Sequence, residues 1–95
     1  MALNTIQVTL GSAKTPISAT SLVVRQVTFQ NNAAAIMRVG DTNVSTTVGH
    51  VLEPVTPPAQ ANSITWGELT SYCIDLKDVY AIGTNTQKLD VTFID

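Results

Sequence analysis

The stretch that decides the fold reads Met37-Arg38-Val39-Gly40-Asp41-Thr42-Asn43-Val44. Met37 and Val39 fall on one face of an extended chain and Arg38 on the other, which is the two-residue period of a half-buried β-strand. Gly40 and Asp41 then begin a run of residues that tolerate or stabilise turn geometry. The stretch therefore predicts a strand, a tight turn and a return.

Alternation of apolar and polar residues recurs on both sides of this stretch. It is clearest over 5–10 and 89–94, so we expect both of these strands to lie in sheets. Ile6 and Val8 share the apolar face of the first, which we place at or near a sheet edge. Short strands separated by turns, with no sustained helical period, predict an all-β fold. We expect one domain over residues 1–95, an antiparallel β-sandwich of Greek key or jelly-roll type with about seven to eight short strands.

The longest predicted strand, 21–30, carries an irregularity. Val24 and Val27 are both apolar, although they have opposite parity along the strand. A β-bulge near Arg25 would change the parity and let the arginine face solvent. A strand covered on both faces is the alternative.

Two connections are less regular. Asn31 and Asn32 predict the turn after strand 21–30, because Asn tolerates the left-handed backbone conformation. We expect 35–40 to return antiparallel from that turn. Residues 69–72 fit either one helical turn or a loop, and the pattern does not choose between them.

Composition and charge narrow the function classes. Only 13% of the residues are charged and the formal net charge is −2, which disfavours a nucleic-acid partner. The longest apolar run, 33–37, is far shorter than the roughly 20 residues that cross a bilayer, so we expect no membrane span. The first residues show no signal peptide, and the lone Cys73 cannot form an internal disulfide, which fits assembly in a reducing cytoplasm.

No pattern of residues predicts catalysis or metal binding. His50 is the single histidine and has no nucleophile or second ligand that the sequence places beside it. Asp41 and Asn43 offer fewer oxygens than the six to eight that calcium prefers, so we interpret them as turn residues. Asp75 and Asp78 flank a second turn, and a glycosidase pair would need a cleft and a raised pKa. We therefore expect no enzyme, no cofactor and no metal.

The segment after the central region is rich in proline. Three prolines occur among five residues, which forbids a helix interior or a central strand there and predicts an extended, superficial loop. One interpretation is a crossover between two sheets. The other is a stiff contact surface that loses little entropy on binding. The loop residues that we select as candidate contacts are Pro54, Val55, Pro57 and Pro58.

Three aromatic residues offer a different kind of surface. Trp66, Tyr72 and Tyr80 would stack on a sugar if their rings were coplanar and exposed. Packing in the core or at its rim is the interpretation that we favour.

Four segments, in this order and at this spacing, resemble a known family. They are Arg38-Val39-Gly40-Asp41-Thr42-Asn43-Val44, Leu52-Glu53-Pro54, Asp75-Leu76-Lys77-Asp78-Val79-Tyr80-Ala81-Ile82-Gly83-Thr84 and Leu89-Asp90-Val91-Thr92-Phe93. The family is that of the small β-sandwich virion proteins of tailed bacteriophages, commonly capsid decoration or cement proteins. The chain departs from it at Pro57 and Pro58, where a glycine-rich turn is more usual.

The resemblance implies a binding partner, the lattice of the major capsid protein. We expect a non-enzymatic decoration protein that stabilises the phage head, assembled in the host cytoplasm and located on the capsid surface as a homotrimer. Beside the proline loop, the edge of the first strand at Ile6 and Val8 is our second candidate contact. The alternatives are a head-to-tail, tail or fibre-base component of the virion, and a small carbohydrate-binding module.

Overall fold

Ten short β-strands and no helix make up the part of the chain that the computed structural model describes, residues 2–54, 63–70, 72–84 and 86–95. The predicted all-β class is confirmed. The strand count exceeds the expected seven to eight because several elements have only two residues. The strands are β1 Leu3–Leu10, β2 Thr15–Pro16, β3 Val23–Val24, β4 Gln26–Asn31, β5 Met37–Gly40, β6 His50–Leu52, β7 Ser63–Gly67, β8 Ile74–Asp75, β9 Tyr80–Ile82 and β10 Gln87–Ile94.

The strands pair in a nested order. The first pairs with the last, the second with the last but one, and so on inward to β5 and β6, and every pair is antiparallel. Two more antiparallel pairs, β10 with β4 and β5 with β9, complete two four-stranded sheets. Their strand orders are β1-β10-β4-β7 and β2-β9-β5-β6, and β3 with β8 forms a separate two-stranded ribbon. A long hairpin rolled up into two sheets in this way is a jelly roll, so the predicted fold class is confirmed.

The hydrophobic core lies between the inner faces of the two sheets. Alternate residues of β10 point inward and are buried, as the period-two pattern predicted. The central strands of both sheets supply most of the remaining buried side chains. The fully buried apolar side chains include Leu10, Val24, Val27, Phe29, Met37, Val39, Leu52, Leu76, Leu89 and Val91.

The irregularity at Arg25 is real and has the arrangement of a β-bulge, because Arg25 and Gln26 both lie opposite Ile94 of β10. Val24 and Val27 are both 0% exposed, so the parity changes between them as predicted. The structure achieves this by ending β3 before Arg25 and beginning β4 after it. The two strands have different partners, and the Arg25 N–H donates to Ile94 O at 2.8 Å where the chain changes sheet. The alternative of one strand covered on both faces is wrong.

The turn after β4 differs from the prediction. Neither Asn31 nor Asn32 has a positive φ, and the following strand crosses to the other sheet instead of returning beside β4. The buried Asn31 amide organises the turn. Its Nδ2 donates to Ala35 O at 2.8 Å and to Leu52 O at 2.9 Å, and its Oδ1 accepts from the Ala33 N–H at 2.9 Å. This one side chain therefore joins the two sheets at the crossing point.

The central hairpin is longer than a tight turn. Asp41 begins it as predicted, because its Oδ1 accepts from the Asn43 N–H at 2.9 Å and its carbonyl accepts from Val44 N–H at 3.1 Å. The return strand, β6, starts only at His50. Arg38 fastens the intervening loop, since its Nε donates to Thr46 O at 3.1 Å and its Nη1 to Gly49 O at 3.0 Å.

Nothing among the described residues is a helix long and apolar enough to cross a membrane.

We predict that Asn31→Leu, which keeps the approximate shape of the side chain, destabilises the fold by about 3 kcal/mol, because it leaves buried backbone groups without partners. Urea unfolding followed by Trp66 fluorescence measures the change as a lower midpoint at unchanged slope. Asn32→Leu is the matched control, because residue 32 is exposed. Equal midpoints for the two variants would contradict the role assigned to Asn31.

Candidate interaction surface

The first strand forms an open edge of its sheet. β1 pairs with β10 on one side, and on the other side no strand of the described residues adjoins it. It is eight residues long and contains neither a charged residue nor a proline. The prediction that this strand lies at a sheet edge is confirmed.

The register shows which backbone groups point out of this edge. The Asp95 N–H donates to Ala2 O at 3.1 Å, and the ladder continues from Leu3 opposite Ile94 to Leu10 opposite Gln87. In an antiparallel ladder, the residues that exchange hydrogen bonds alternate with those that do not. The even-numbered residues of β1 therefore bond to β10. The odd-numbered ones direct their N–H and C=O groups outward, and these are Leu3, Thr5, Gln7 and Thr9.

Ile6 and Val8 lie on the core-facing side of the same strand. They stand opposite Val91 and Leu89 of β10, which are fully buried. Burial nevertheless falls along β1, because Leu10 is 1% exposed, Val8 is half-buried and Ile6 is 37% exposed. β2, which follows β1 in the chain and is an edge strand of the other sheet, has only two residues. Both predicted contact residues thus lie beside the open edge.

Side-chain hydrogen bonds between β1 and β10 cover the outer face of this edge. The charged side chains of β10 are engaged by polar residues of β1, since Gln7 Nε2 donates to Asp90 Oδ1 at 2.9 Å and Lys88 Nζ donates to Thr9 Oγ1 at 2.5 Å. The side chains of Thr5 and Thr92 also meet, with their hydroxyl oxygens 3.3 Å apart. β1 itself contributes no charged side chain to this edge.

The proline loop is described only at its start. Pro54 is half-buried and follows the end of β6. The other predicted contacts of this loop, Val55, Pro57 and Pro58, lie outside the described residues. A role of the loop in binding stays a prediction.

The aromatic residues have separate partners. Trp66 is half-buried, and its ring meets Phe29 edge to face with centroids 5.2 Å apart and His50 with centroids 5.6 Å apart. Tyr72 is 56% exposed and carries the Arg25 guanidinium 4.3 Å above its ring. Packing at the rim of the core, the interpretation we favoured, is the one that fits Trp66.

A groove on the outside of the second sheet was not predicted. Arg38 and Ile82 are paired across β5 and β9 on the outer face, yet Ile82 is only 8% exposed. The loop that Arg38 holds folds over this face and leaves a groove of about 330 Å³. The pattern Tyr80-Ala81-Ile82 does not indicate this groove. The residue that faces the core is the small Ala81, whereas the larger apolar Ile82 lies on the outer face. The groove is lined by Ile36, Met37, Arg38, Thr46, Ile82, Gly83 and Thr84.

The predicted turn role of Asp75 is confirmed. Its Oδ2 accepts from the Ser21 hydroxyl at 2.6 Å, and its Oδ1 accepts from the N–H groups of Leu22 at 2.9 Å and Lys77 at 3.0 Å. These bonds, that from Ser21 above all, lower the pKa of Asp75 below its ordinary value of 3.8. A general acid needs the opposite shift. Asp75 fastens the chain before β3 to the turn after β8.

No group of three or more His, Cys, Asp or Glu side chains suited to a metal ion occurs within the described ranges. Asp41 was considered above as a calcium ligand. In the structure its Oδ1 accepts a backbone hydrogen bond in its own turn.

Comparison with models of protein families, with curated proteins and with solved structures finds no match to this chain.

We predict that Asp75 makes stability fall in acid. Because its pKa is lower in the folded chain, its contribution is complete above the ordinary value of 3.8 and is lost as the pH falls through the folded-state pKa. Asp75→Asn should therefore be less stable than the parent chain at neutral pH, and the gap should narrow at lower pH. Thermal unfolding of both proteins between neutral pH and pH of about 2 measures this.

Asp78→Asn is the control for this series, because Asp78 lies on the same turn and its carboxylate accepts none of these three bonds. A gap for Asp75→Asn that does not change with pH would contradict the assignment.

Proposed function

We propose that this chain is a non-enzymatic virion protein of a tailed bacteriophage, one that decorates the outer surface of the head and binds the lattice of the major capsid protein. The resemblance of four ordered segments in the sequence suggests the family. A jelly roll is compatible with this role, since the fold occurs in viral capsid domains, although it also occurs in lectins and cupins. Fold alone does not select a function.

The observation that carries the proposal is the open edge of β1. Eight residues with neither charge nor proline leave a row of backbone donors and acceptors available to another chain. Natural monomers normally protect such an edge with lysine, proline, a bulge or a very short strand. An unprotected edge of this length fits a protein that works in an assembly.

The proposed mechanism is mechanical. Each copy buries a modest area against capsid subunits and against neighbouring copies of this chain, with β1 and the segment that begins at Pro54 as the contact surfaces. β1 itself carries no charged side chain, so few ions must be desolvated when a partner binds along it. The shell can dissociate only when the contacts of many copies are lost together. This multivalency strengthens the shell. We propose a trimer over the three-fold positions of the lattice as the unit that binds.

Trp66 bears on the carbohydrate-binding alternative. Its ring is half-buried and contacts Phe29 and His50, which favours packing at the rim of the core over a platform for a sugar. The decoration role is therefore the one that we favour.

The test uses phage particles that carry or lack the gene. We expect particles with the gene to contain the protein in copy numbers comparable to the major capsid protein, measured by quantitative mass spectrometry. Electron cryomicroscopy should show additional density on the head surface, and heads without the gene should disassemble at a lower temperature. Purified protein added to deficient heads should restore both the density and the heat resistance.

The variants Thr5→Lys and Gln30→Lys separate the edge from general charge effects. Both add one positive charge to the same sheet, but residue 5 lies on the open strand and residue 30 on the interior strand β4. Thr5→Lys should reduce binding to deficient heads, and Gln30→Lys should not. Heads of normal stability without extra density would overturn the proposal, and a few copies confined to the neck or tail would favour the alternative virion roles.

A further inference from the structure

The four outer edges of the two sheets are protected to different extents. In the second sheet, β2 contains Pro16, and β6 has three residues and is followed by Glu53 and Pro54. In the first sheet, β7 has five residues. β1 is the longest of the four and has none of the devices that normally prevent edge pairing. From this asymmetry we propose that the β1 strands of two copies pair antiparallel about a two-fold axis at Ile6.

The register follows from the groups that point outward. With the axis at Ile6, Leu3 stands opposite the partner's Thr9, and Thr5 stands opposite the partner's Gln7. These four odd-numbered residues then pair all of their outward N–H and C=O groups. Moving the axis to Thr5 or Gln7 leaves one outward residue of each copy without a partner. The axis at Ile6 is thus the register with the most hydrogen bonds.

The side chains also suit this register. Ile6 meets the partner's Ile6 on the core-facing side, where each copy leaves the residue 37% exposed. Val8, half-buried in one copy, lies next to the partner's Asn4. On the outer face, Thr5 and the partner's Gln7 are neutral and polar, so no like charges face each other. Pairing of apolar groups at the axis gives the contact its preference for a second copy.

The contact extends the sheet across both molecules. The combined sheet has the order β7-β4-β10-β1 in one copy and the reverse order in the other, which follows from the position of β1 at the edge. Such an isologous contact closes after two copies. It does not itself build a trimer, and it would join subunits of neighbouring trimers. Because it needs only this chain, the inference does not depend on the proposed capsid role.

The contact should be reversible. A single pair of edge strands buries less than the about 800 Å² per partner of a standard stable interface. We therefore expect pairing to increase with protein concentration in solution. On a shell that holds many copies close together, the effective concentration would be much higher.

Disulfide cross-linking tests the register. Cys73 is exposed and is first replaced by serine, so that each variant carries a single thiol. In the Cys73→Ser chain we expect Ile6→Cys to form a covalent dimer under mild oxidation, because facing residues outside the hydrogen-bonded pairs lie about 4.5 Å apart, within the reach of a disulfide.

Gln7→Cys in the same Cys73→Ser chain is the matched control. With the axis at Ile6, residue 7 of one copy faces residue 5 of the other, and the two residues 7 are offset by two residues along the strands. Their Cα atoms are then farther apart than the about 7 Å that a disulfide bridges. It should cross-link instead with an equimolar Thr5→Cys variant. Cross-linking of Ile6→Cys no faster than of Gln7→Cys alone would overturn the proposed pairing.

Proline substitution tests the hydrogen bonds. Gln7→Pro removes an outward N–H that the ladder with β10 does not use, and proline is tolerated in edge strands. Sedimentation velocity over a concentration series should show self-association weakened about tenfold or more, because each copy leaves a carbonyl of its partner unpaired. Gln7→Ala, which keeps the N–H, should associate like the parent chain.

Thr5→Lys and Gln30→Lys keep the test decisive if Gln7→Pro does not fold. Thr5→Lys places a charge on the edge strand, whereas Gln30→Lys places one on an interior strand. Loss of association in Thr5→Lys alone supports pairing through β1. Equal association of both variants, or a parent chain that stays monomeric at the highest concentration, overturns it.

Discussion

The antiparallel pairing of the first strand with the last is the interaction on which the rest of the structure depends. It brings residues near the two ends of the chain into register from Leu3 opposite Ile94 to Leu10 opposite Gln87. Every other strand then finds its partner inside this outer pair, until β5 and β6 meet at the centre. Because the outer pairs join residues far apart in sequence, their closure costs the most entropy. We expect the central hairpin to form early and the outer pair late, as in other β domains of high contact order.

Local periodicity predicts many of the strands of this fold, but it does not predict which strands pair with each other. Alternation reveals which side chains of a strand face inward, so β1 and β10 were predicted close to their observed bounds. It contains no information about which strand lies alongside. That is why 35–40 was expected to return from the turn at Asn31, when β5 in fact crosses to the other sheet. The groups that decide the path there are the side-chain amide of Asn31 and the carbonyls of Ala35 and Leu52. No residue pattern in the sequence indicates these hydrogen bonds.

The candidate surface was predictable in part for the same reason. Ile6 and Val8 were found from the alternation of β1, and so was its position at an edge. Their exposure could not be predicted, because alternation along a strand does not indicate how far the opposite sheet covers it. The groove over Ile82 was not predicted from the sequence. Its cover is a loop held by Arg38 through two backbone carbonyls, and no residue spacing indicates such contacts.

The nested pairing also determines how the domain bears load. Leu3 and Ile94 face each other, so a force that separates the two ends of this outer pair opens its ladder one bond at a time, as a zipper opens. A force directed along the strands from opposite sides must instead shear many hydrogen bonds together. The domain is therefore weak when it is pulled apart at this end and strong when tension passes through the sheet. The domain would therefore carry tension best when its binding partners pull on opposite sides of the sheet, along the direction of the strands.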